Sequence, residues 1–176
     1  MGGGDPLGES GSGRYADPVS ATIHRDAETL VRAVDAARRS GARVVFTNGC
    51  FDLLHAGHVR YLTAARRLGD VLVVGINDDA SVRRLKGPPR PILSAVERAE
   101  VVAGLAAVDH VVLFAEDTPL ALIRAVRPDV LVKGADWAES EIVGRAEVEA
   151  RGGRVVRVPL VAGRSTSALV ACIRRP

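Results

Sequence analysis

Thr47-Asn48-Gly49-Cys50-Phe51-Asp52-Leu53-Leu54-His55-Ala56-Gly57-His58 joins an apolar run to a helical pattern, and that junction decides the fold. The run before it, Val44-Val45-Phe46, is short, rich in β-branched residues and apolar on both faces, which reads as a buried parallel strand. After it, Tyr61, Leu62, Ala65 and Leu68 recur at helical spacing, with Arg60, Arg66 and Arg67 on the other face. The two histidines therefore stand on the turn and first helical residues that follow the strand. A helix start has unpaired N–H groups and a partial positive charge, so it seats a phosphate readily. Imidazoles beside it add hydrogen bonds to that anion. Gly57, between them, lets a phosphate approach the backbone unobstructed.

The same alternation repeats along the chain. Strands are expected at Val44–Thr47, Val71–Ile76, Val108–Phe114, Val130–Val132 and Arg154–Val158. Helices are expected at Asp26–Arg39, Gly57–Leu68, Ser94–Leu105, Thr118–Val126, Glu141–Ala150 and Ser165–Ile173. Ser94 with Glu97 forms a capping box, and Thr118 before Pro119 reads as an N-cap. Strands alternating with helices predict an α/β fold, a Rossmann-like, doubly wound, five-stranded parallel sheet in one domain. Residues 1–20 are rich in Gly and Ser and read as a disordered tail, 21–41 as an N-terminal helix, and 42–176 as the domain proper. Ligands in such sheets bind at the carboxyl ends of the strands, near the point where strand order reverses. The histidine turn, Asn77-Asp78-Asp79, Lys133-Gly134 and the loop before Ser165 all fall on that rim.

Composition narrows the class. The chain of 176 residues is 47% hydrophobic and 26% charged, which suits a globular domain with a real core. No apolar run approaches the length of a bilayer span and no signal-peptide core opens the chain, so no membrane partner is expected. Two cysteines, Cys50 and Cys172, match no zinc spacing, and a reducing cytoplasm is the expected setting. Cys50 reads as a small packed hydrophobe rather than a nucleophile. The formal charge of +3 suits small anionic substrates. With 3% aromatics and no basic block interleaved with them, no nucleic-acid partner is expected. Of 24 basic residues only Lys86 and Lys133 are lysines. A compact, flexible point charge kept where arginine is otherwise the rule marks a site where the planar fork will not serve, the alternative being chance survival, and the placing of both lysines favors function. Lys86 is expected in the loop Arg84–Pro91 and Lys133 at the end of a strand.

Gly-x-Phe-Asp-x-x-His-x-Gly-His after an apolar strand resembles the signature of the nucleotidyltransferase superfamily that contains cytidylyltransferases and small adenylyltransferases. Gly163-Arg164-Ser165-Thr166-Ser167 is similar to that superfamily's second signature, a Ser-Thr-Ser or Ser-Thr-Thr run near the C-terminus that meets the outer phosphates of the nucleotide. Further similarity points within the superfamily. Leu85-Lys86-Gly87, Arg90-Pro91-Ile92, Glu97-Arg98, Glu116-Asp117-Thr118-Pro119, Arg127-Pro128-Asp129 and Val132 to Trp137 resemble the adenylyltransferase domain of ADP-heptose synthases. The chain departs from that pattern at Leu93-Ser94-Ala95-Val96, where Asn-Pro is usual, and at Ala135 and Trp137, where Gly and an aromatic such as Tyr are usual. A Trp at that place also occurs among glycerol-phosphate cytidylyltransferases.

The resemblance implies transfer of AMP from ATP to a sugar 1-phosphate, a heptose 1-phosphate, with release of pyrophosphate. Its alternative is a CTP-using glycerol-3-phosphate cytidylyltransferase; a nucleotide-binding module without turnover would be expected to lack a phosphate-handling residue. His55, His58 and Lys86 would be catalytic. Asn48, Gly49, Phe51, Gly57 and Arg98 would meet the nucleotide from the first half of the chain. Lys133, Gly134, Asp136, Trp137, Arg164, Ser165, Thr166 and Ser167 would do so from the second. No protein metal site is expected; Mg²⁺ would arrive with the triphosphate, held by its phosphates and one or two carboxylates. Asp52 is the nearest carboxylate, and it serves equally well to fix the turn and a histidine. A homodimer is implied, with a separate sugar kinase supplying the acceptor.

Overall fold

The computed structural model describes residues 21–159 and 166–173. Its center is a parallel sheet of six strands: β1 (Thr22–His24), β2 (Val44–Gly49), β3 (Val71–Asn77), β4 (His110–Phe114), β5 (Val130–Gly134) and β6 (Arg154–Val158). They lie in the order β1-β4-β3-β2-β5-β6. The expected sheet of five strands is therefore corrected to six. The added strand, β1, is three residues long at the sheet edge, pairing Thr22 with His110 and His24 with Val112. So short an edge strand leaves little periodicity to detect. It also draws the segment before Gly41, expected as a helix alone, into the same sheet.

Seven helices cover the faces: α1 (Ala27–Arg39), α2 (Ala56–Arg66), α3 (Asp79–Lys86), α4 (Ala95–Ala103), α5 (Leu120–Val126), α6 (Arg145–Glu149) and α7 (Thr166–Ile173). On one face, Tyr61, Leu62 and Ala65 of α2 and Ala99 and Val102 of α4 pack on Val45, Leu72, Val74 and Val111. On the other, Leu30 and Val34 of α1, Leu122 and Ile123 of α5 and Val148 of α6 cover Phe46, Val73, Val112 and Leu131. Neighboring strand residues thus supply opposite cores, which explains why these strands read as unbroken apolar runs. No helix among the described residues is long and apolar enough to cross a membrane.

Three local expectations change. Asp78 caps a helix, its carboxylate accepting from Ser81 N at 2.7 Å, so α3 occupies a stretch expected as loop and Lys86 becomes its last residue. Helix α5 begins after Pro119 with no side-chain cap, so Thr118 is not the N-cap. The helix expected over 141–150 is split by Gly144, whose φ of 87° is left-handed. A Cβ there would lie 2.6 Å from Ile123, so only glycine fits this joint. The Ser94–Glu97 capping box is present as expected.

The amino ends of the strands are held by carboxylates. Asp70 accepts from Arg43 N, Asp109 from Leu72 N and Asp129 from Val44 N, at 2.7–2.8 Å. The carboxyl ends are left for other work. Strands β3 and β5 flank β2 on opposite sides and lead away from it, so the chain reverses direction across the sheet between β2 and β5. A crevice at that point is a geometric consequence of the strand order.

Candidate functional site

A cleft of about 450 Å³ opens there, beyond the ends of β2 and β5. The turn after β2 forms its floor. Phe51 takes a left-handed backbone, with φ 46°, and is buried with its ring edge against His58. For a residue with a large side chain that conformation is strained, and it persists because the surrounding contacts hold it. Asp52 is buried and fully occupied: one oxygen accepts from Arg90 Nε, the other from Ile92 N at 2.8 Å and Leu93 N at 3.1 Å. Of the two roles open to it in the sequence, Asp52 performs the structural one, and what it holds is the 90–93 loop rather than a histidine.

His55 is the N-cap of α2. Its Nδ1 accepts from Gly57 N at 3.1 Å, which fixes the ring proton on Nε2 and makes Nε2 a donor. His58, one turn on, stacks on His55 with ring centroids 3.9 Å apart and 18° between planes. Burial, with the neighboring His55 adding to it, pushes the His58 pKa down to about 4. Its Nδ1 is buried and has no hydrogen-bond partner among the described residues. A buried ring nitrogen without a partner is costly. Here it stands at a helix start, where an incoming oxyanion would be met.

The sequence-derived residues fall into three groups. Gly49, Phe51, His55, Gly57, His58, Lys86, Gly134, Asp136, Trp137, Thr166 and Ser167 all line the cleft. Asn48, Lys133 and Arg98 do not line it. Lys133, at the end of β5, donates to Asn48 Oδ1 and stands 5.8 Å from the center of the Trp137 ring. Burial lowers its pKa to about 8, against an opposing effect of Asp136. Arg98 is wholly buried, and its guanidinium donates to the carbonyls of Cys50, Leu93 and Asn77 and to Asp79. It binds the rim together from behind, and the expected contact of Arg98 with a ligand gives way to that bracing role. Arg164 and Ser165 lie outside the described residues. Thr166 donates to Leu53 O at 3.2 Å, which sets the start of α7 against the turn after β2.

Cys50 and Asp52, weighed in the sequence without a ligand-binding role, also line the cleft, as do Tyr61 and Arg90, which had been given none. Tyr61 shares a 2.8 Å hydrogen bond with Thr47, and burial pushes its pKa up to about 12. Burial likewise raises the Cys50 thiol, which removes it as a ready nucleophile. Arg90 had a signal in the sequence, the Arg90-Pro91-Ile92 segment that carries part of the resemblance, but no role was assigned to its side chain.

A helix start flanked by two stacked imidazoles, at a strand-order reversal, has the donors that suit an anion. A family model, Cytidylyltransferase-like, matches residues 46–161. The chain belongs to the cytidylyltransferase-like family. The chain is 57% identical over 143 residues to the bifunctional protein HldE of Syntrophotalea carbinolica, covering 81% of this chain and 29% of that protein. It is 63% identical over 130 residues to the bifunctional protein HldE of Magnetococcus marinus, covering 74% and 27%. The chain thus spans less than a third of the length of these relatives. Among solved structures it is similar to a lipopolysaccharide core biosynthesis protein from Thermoplasma volcanium, with 32% identity and a TM-score of 0.57 over 69% of this chain and 98% of that one. Within the cytidylyltransferase-like family, the His55-Ala56-Gly57-His58 turn is where phosphate chemistry is expected.

Proposed function

We propose that this chain transfers AMP from ATP to a heptose 1-phosphate, giving an ADP-heptose and pyrophosphate. The observation that carries the proposal is the paired, stacked imidazoles of His55 and His58 at the start of α2. The acceptor's phosphate oxygen attacks the α-phosphorus of ATP, and the bond from that phosphorus to the oxygen bridging to the β-phosphate breaks. The acceptor is already ionised at neutral pH, so the site needs no strong base. It needs donors placed where charge builds, and in-line positioning. His55 Nε2 supplies one such donor. His58 supplies another through whichever nitrogen faces the phosphate, and Gly57 keeps the backbone N–H groups accessible.

The neighboring walls divide the remaining work. The half-exposed ring of Trp137 and the carboxylate of Asp136 suit a base and a ribose. The start of α7, with Thr166 and Ser167, suits the departing pyrophosphate. Among the described residues no group of three or more His, Cys, Asp or Glu could hold a metal. Asp52 is already engaged by Arg90 and two backbone N–H groups. A Mg²⁺ carried in on the triphosphate would therefore be held mainly by phosphate oxygens, with Asp136 the remaining cleft carboxylate. The choice of ATP and a heptose acceptor draws support from the similarity through Leu85–Gly87, Glu116–Pro119 and Arg127–Asp129. The similarity to a protein of lipopolysaccharide core biosynthesis supports it as well. A homodimer belongs to the same proposal, testable by sedimentation.

Pyrophosphate release measured for four nucleoside triphosphates against a panel of sugar and polyol phosphates tests the proposal. We expect ATP to exceed CTP in kcat/KM by at least about tenfold, equal to roughly 1.4 kcal/mol. A preference for CTP with glycerol 3-phosphate would replace this substrate pair by the cytidylyltransferase alternative.

A further inference from the structure

Arg90 stands in the cleft wall on the β3 side, in the connection from α3 to α4. Its side chain is 15% exposed, and the carboxylate it pairs with, on Asp52, is 1% exposed. Only one edge of the guanidinium is used: Nε donates to Asp52. Its terminal nitrogens make no hydrogen bond to any described residue. A guanidinium carries five N–H donors and stays charged at any working pH. Arg90 lines an open cleft, so water meets these donors until an anionic acceptor replaces it. Asp52, fixed in turn by Ile92 N and Leu93 N, prevents the fork from swinging away.

The strand order says which acceptor. Gly134, Asp136 and Trp137 follow β5, on one side of β2, and among the described lining residues Trp137 is the aromatic with a half-exposed ring, Phe51 and Tyr61 being buried. The histidine turn follows β2 itself. Lys86 and Arg90 follow β3, on the opposite side, where the lining offers two cations and no platform. An in-line displacement needs the attacking oxygen and the departing pyrophosphate on opposite sides of the α-phosphorus. With Thr166 and Ser167 at the start of α7 taking the pyrophosphate, the β3 wall is left to the attacking group. We infer that Arg90 grips the phosphate of the acceptor, a phosphate monoester, through its terminal nitrogens, with Asp52 as the positioning residue that aims the fork. This rests on the transfer reaction proposed above. Two parallel N–H donors to two phosphate oxygens are the arrangement that an arginine provides and a lysine does not.

Steady-state kinetics with both substrates varied test the inference in wild type, Arg90→Gln and Arg90→Lys. KM for the acceptor should rise about 10- to 100-fold in Arg90→Gln, while KM for the nucleotide stays within about twofold. Arg90→Lys keeps a charge beside Asp52, so its fold is secure, yet it should recover only part of the acceptor affinity. A nucleotide KM that rises as much as the acceptor KM would overturn the inference, and so would an acceptor KM unmoved in Arg90→Lys and Arg90→Gln. Wild-type protein with no turnover on any phosphate acceptor would sink the proposed reaction and this inference together. Turnover with an unmoved acceptor KM sinks the inference alone.

Discussion

Behind the β2–β3 side of the cleft, buried polar groups are closely matched to partners, whereas beyond β5 the lining stands largely in solvent. Arg98 is fully buried and reaches the carbonyls of Cys50, Asn77 and Leu93, and Asp52 is buried against Arg90 and two backbone N–H groups. Past Gly134, by contrast, Asp136 is exposed, Trp137 is 47% exposed, and the chain continues through a single 3-10 turn at Glu139–Glu141. In the proposed transfer reaction this difference would separate two requirements. Phosphorus chemistry tolerates little displacement of its donors, so the histidine turn is braced from behind by charges that cannot move cheaply. Choice of base needs only a few contacts at a surface, which can change without disturbing the brace.

The most drastic way to break this comparison is to remove the brace. Arg98→Leu leaves three carbonyls and Asp79 without their shared donor, and should reduce stability by about 3–5 kcal/mol. Trp137→Ala, on the exposed side, should change stability by no more than about 0.5 kcal/mol. Urea midpoints showing similar losses for the two variants would erase the distinction. Next in size is the floor itself. His55→Ala and His58→Ala should each lower kcat by roughly 10²- to 10³-fold, about 3–4 kcal/mol of transition-state stabilisation, with folding retained. Near-normal turnover in both folded variants would remove the histidines from the chemistry.

Acid sharpens the comparison further, because the braced side contains a neutral buried base. His58 titrates at about 4 in the fold against its ordinary 6.5, so between those values the unfolded chain holds the proton more readily. Stability should therefore fall as pH drops from 6.5 towards 4, the loss from this residue being moderated by its partial exposure to solvent. Chemical denaturation at pH 7 and pH 4.5 should show a smaller decline for His58→Gln than for wild type. The smallest effect belongs to the exposed wall. Trp137→Ala should raise the nucleotide KM about tenfold and leave kcat within about threefold, as loss of a stacking platform does. A collapse in kcat instead would mean that Trp137 shares the work of the histidine turn.

Strands β2 to β5 were legible because their residues are mostly buried and read as apolar runs, and β6, a partly exposed edge strand, because its valines lie between Gly153 and Pro159. The reversal of strand order after β4, and hence the position of the cleft, followed from no local signal, though the rim on which the motifs would meet did. Helix α3 escaped notice because Asp79-Ala-Ser-Val-Arg-Arg-Leu-Lys86 offers only Val82 and Leu85 as large apolar residues, and Asn77-Asp78-Asp79 looks like a turn. Asp78 looks the same whether it ends a loop or caps a helix. Arg98 shows a deeper limit. An arginine on an amphipathic helix ordinarily reaches water or a ligand, and only the convergence of Cys50, Asn77 and Leu93 in space shows that this one is enclosed. Composition cannot show which of 22 arginines has lost its solvent.

The pairing that creates the cleft joins Val45 to Val130 and Phe46 to Leu131, partners 85 residues apart in the chain, whereas β2 and β3 join Val44 to Val71 across 27. Loop closure favors the shorter connection, so β2, α2 and β3 should come together well before β5 docks. Pulsed hydrogen exchange during refolding would show amides of β3 protected ahead of those of β5. During synthesis, then, the histidine turn emerges and can fold with half of its cleft still missing. The cleft is complete only when the distant Val130–Gly134 strand arrives, bringing Gly134, Asp136 and Trp137 to the wall opposite β3.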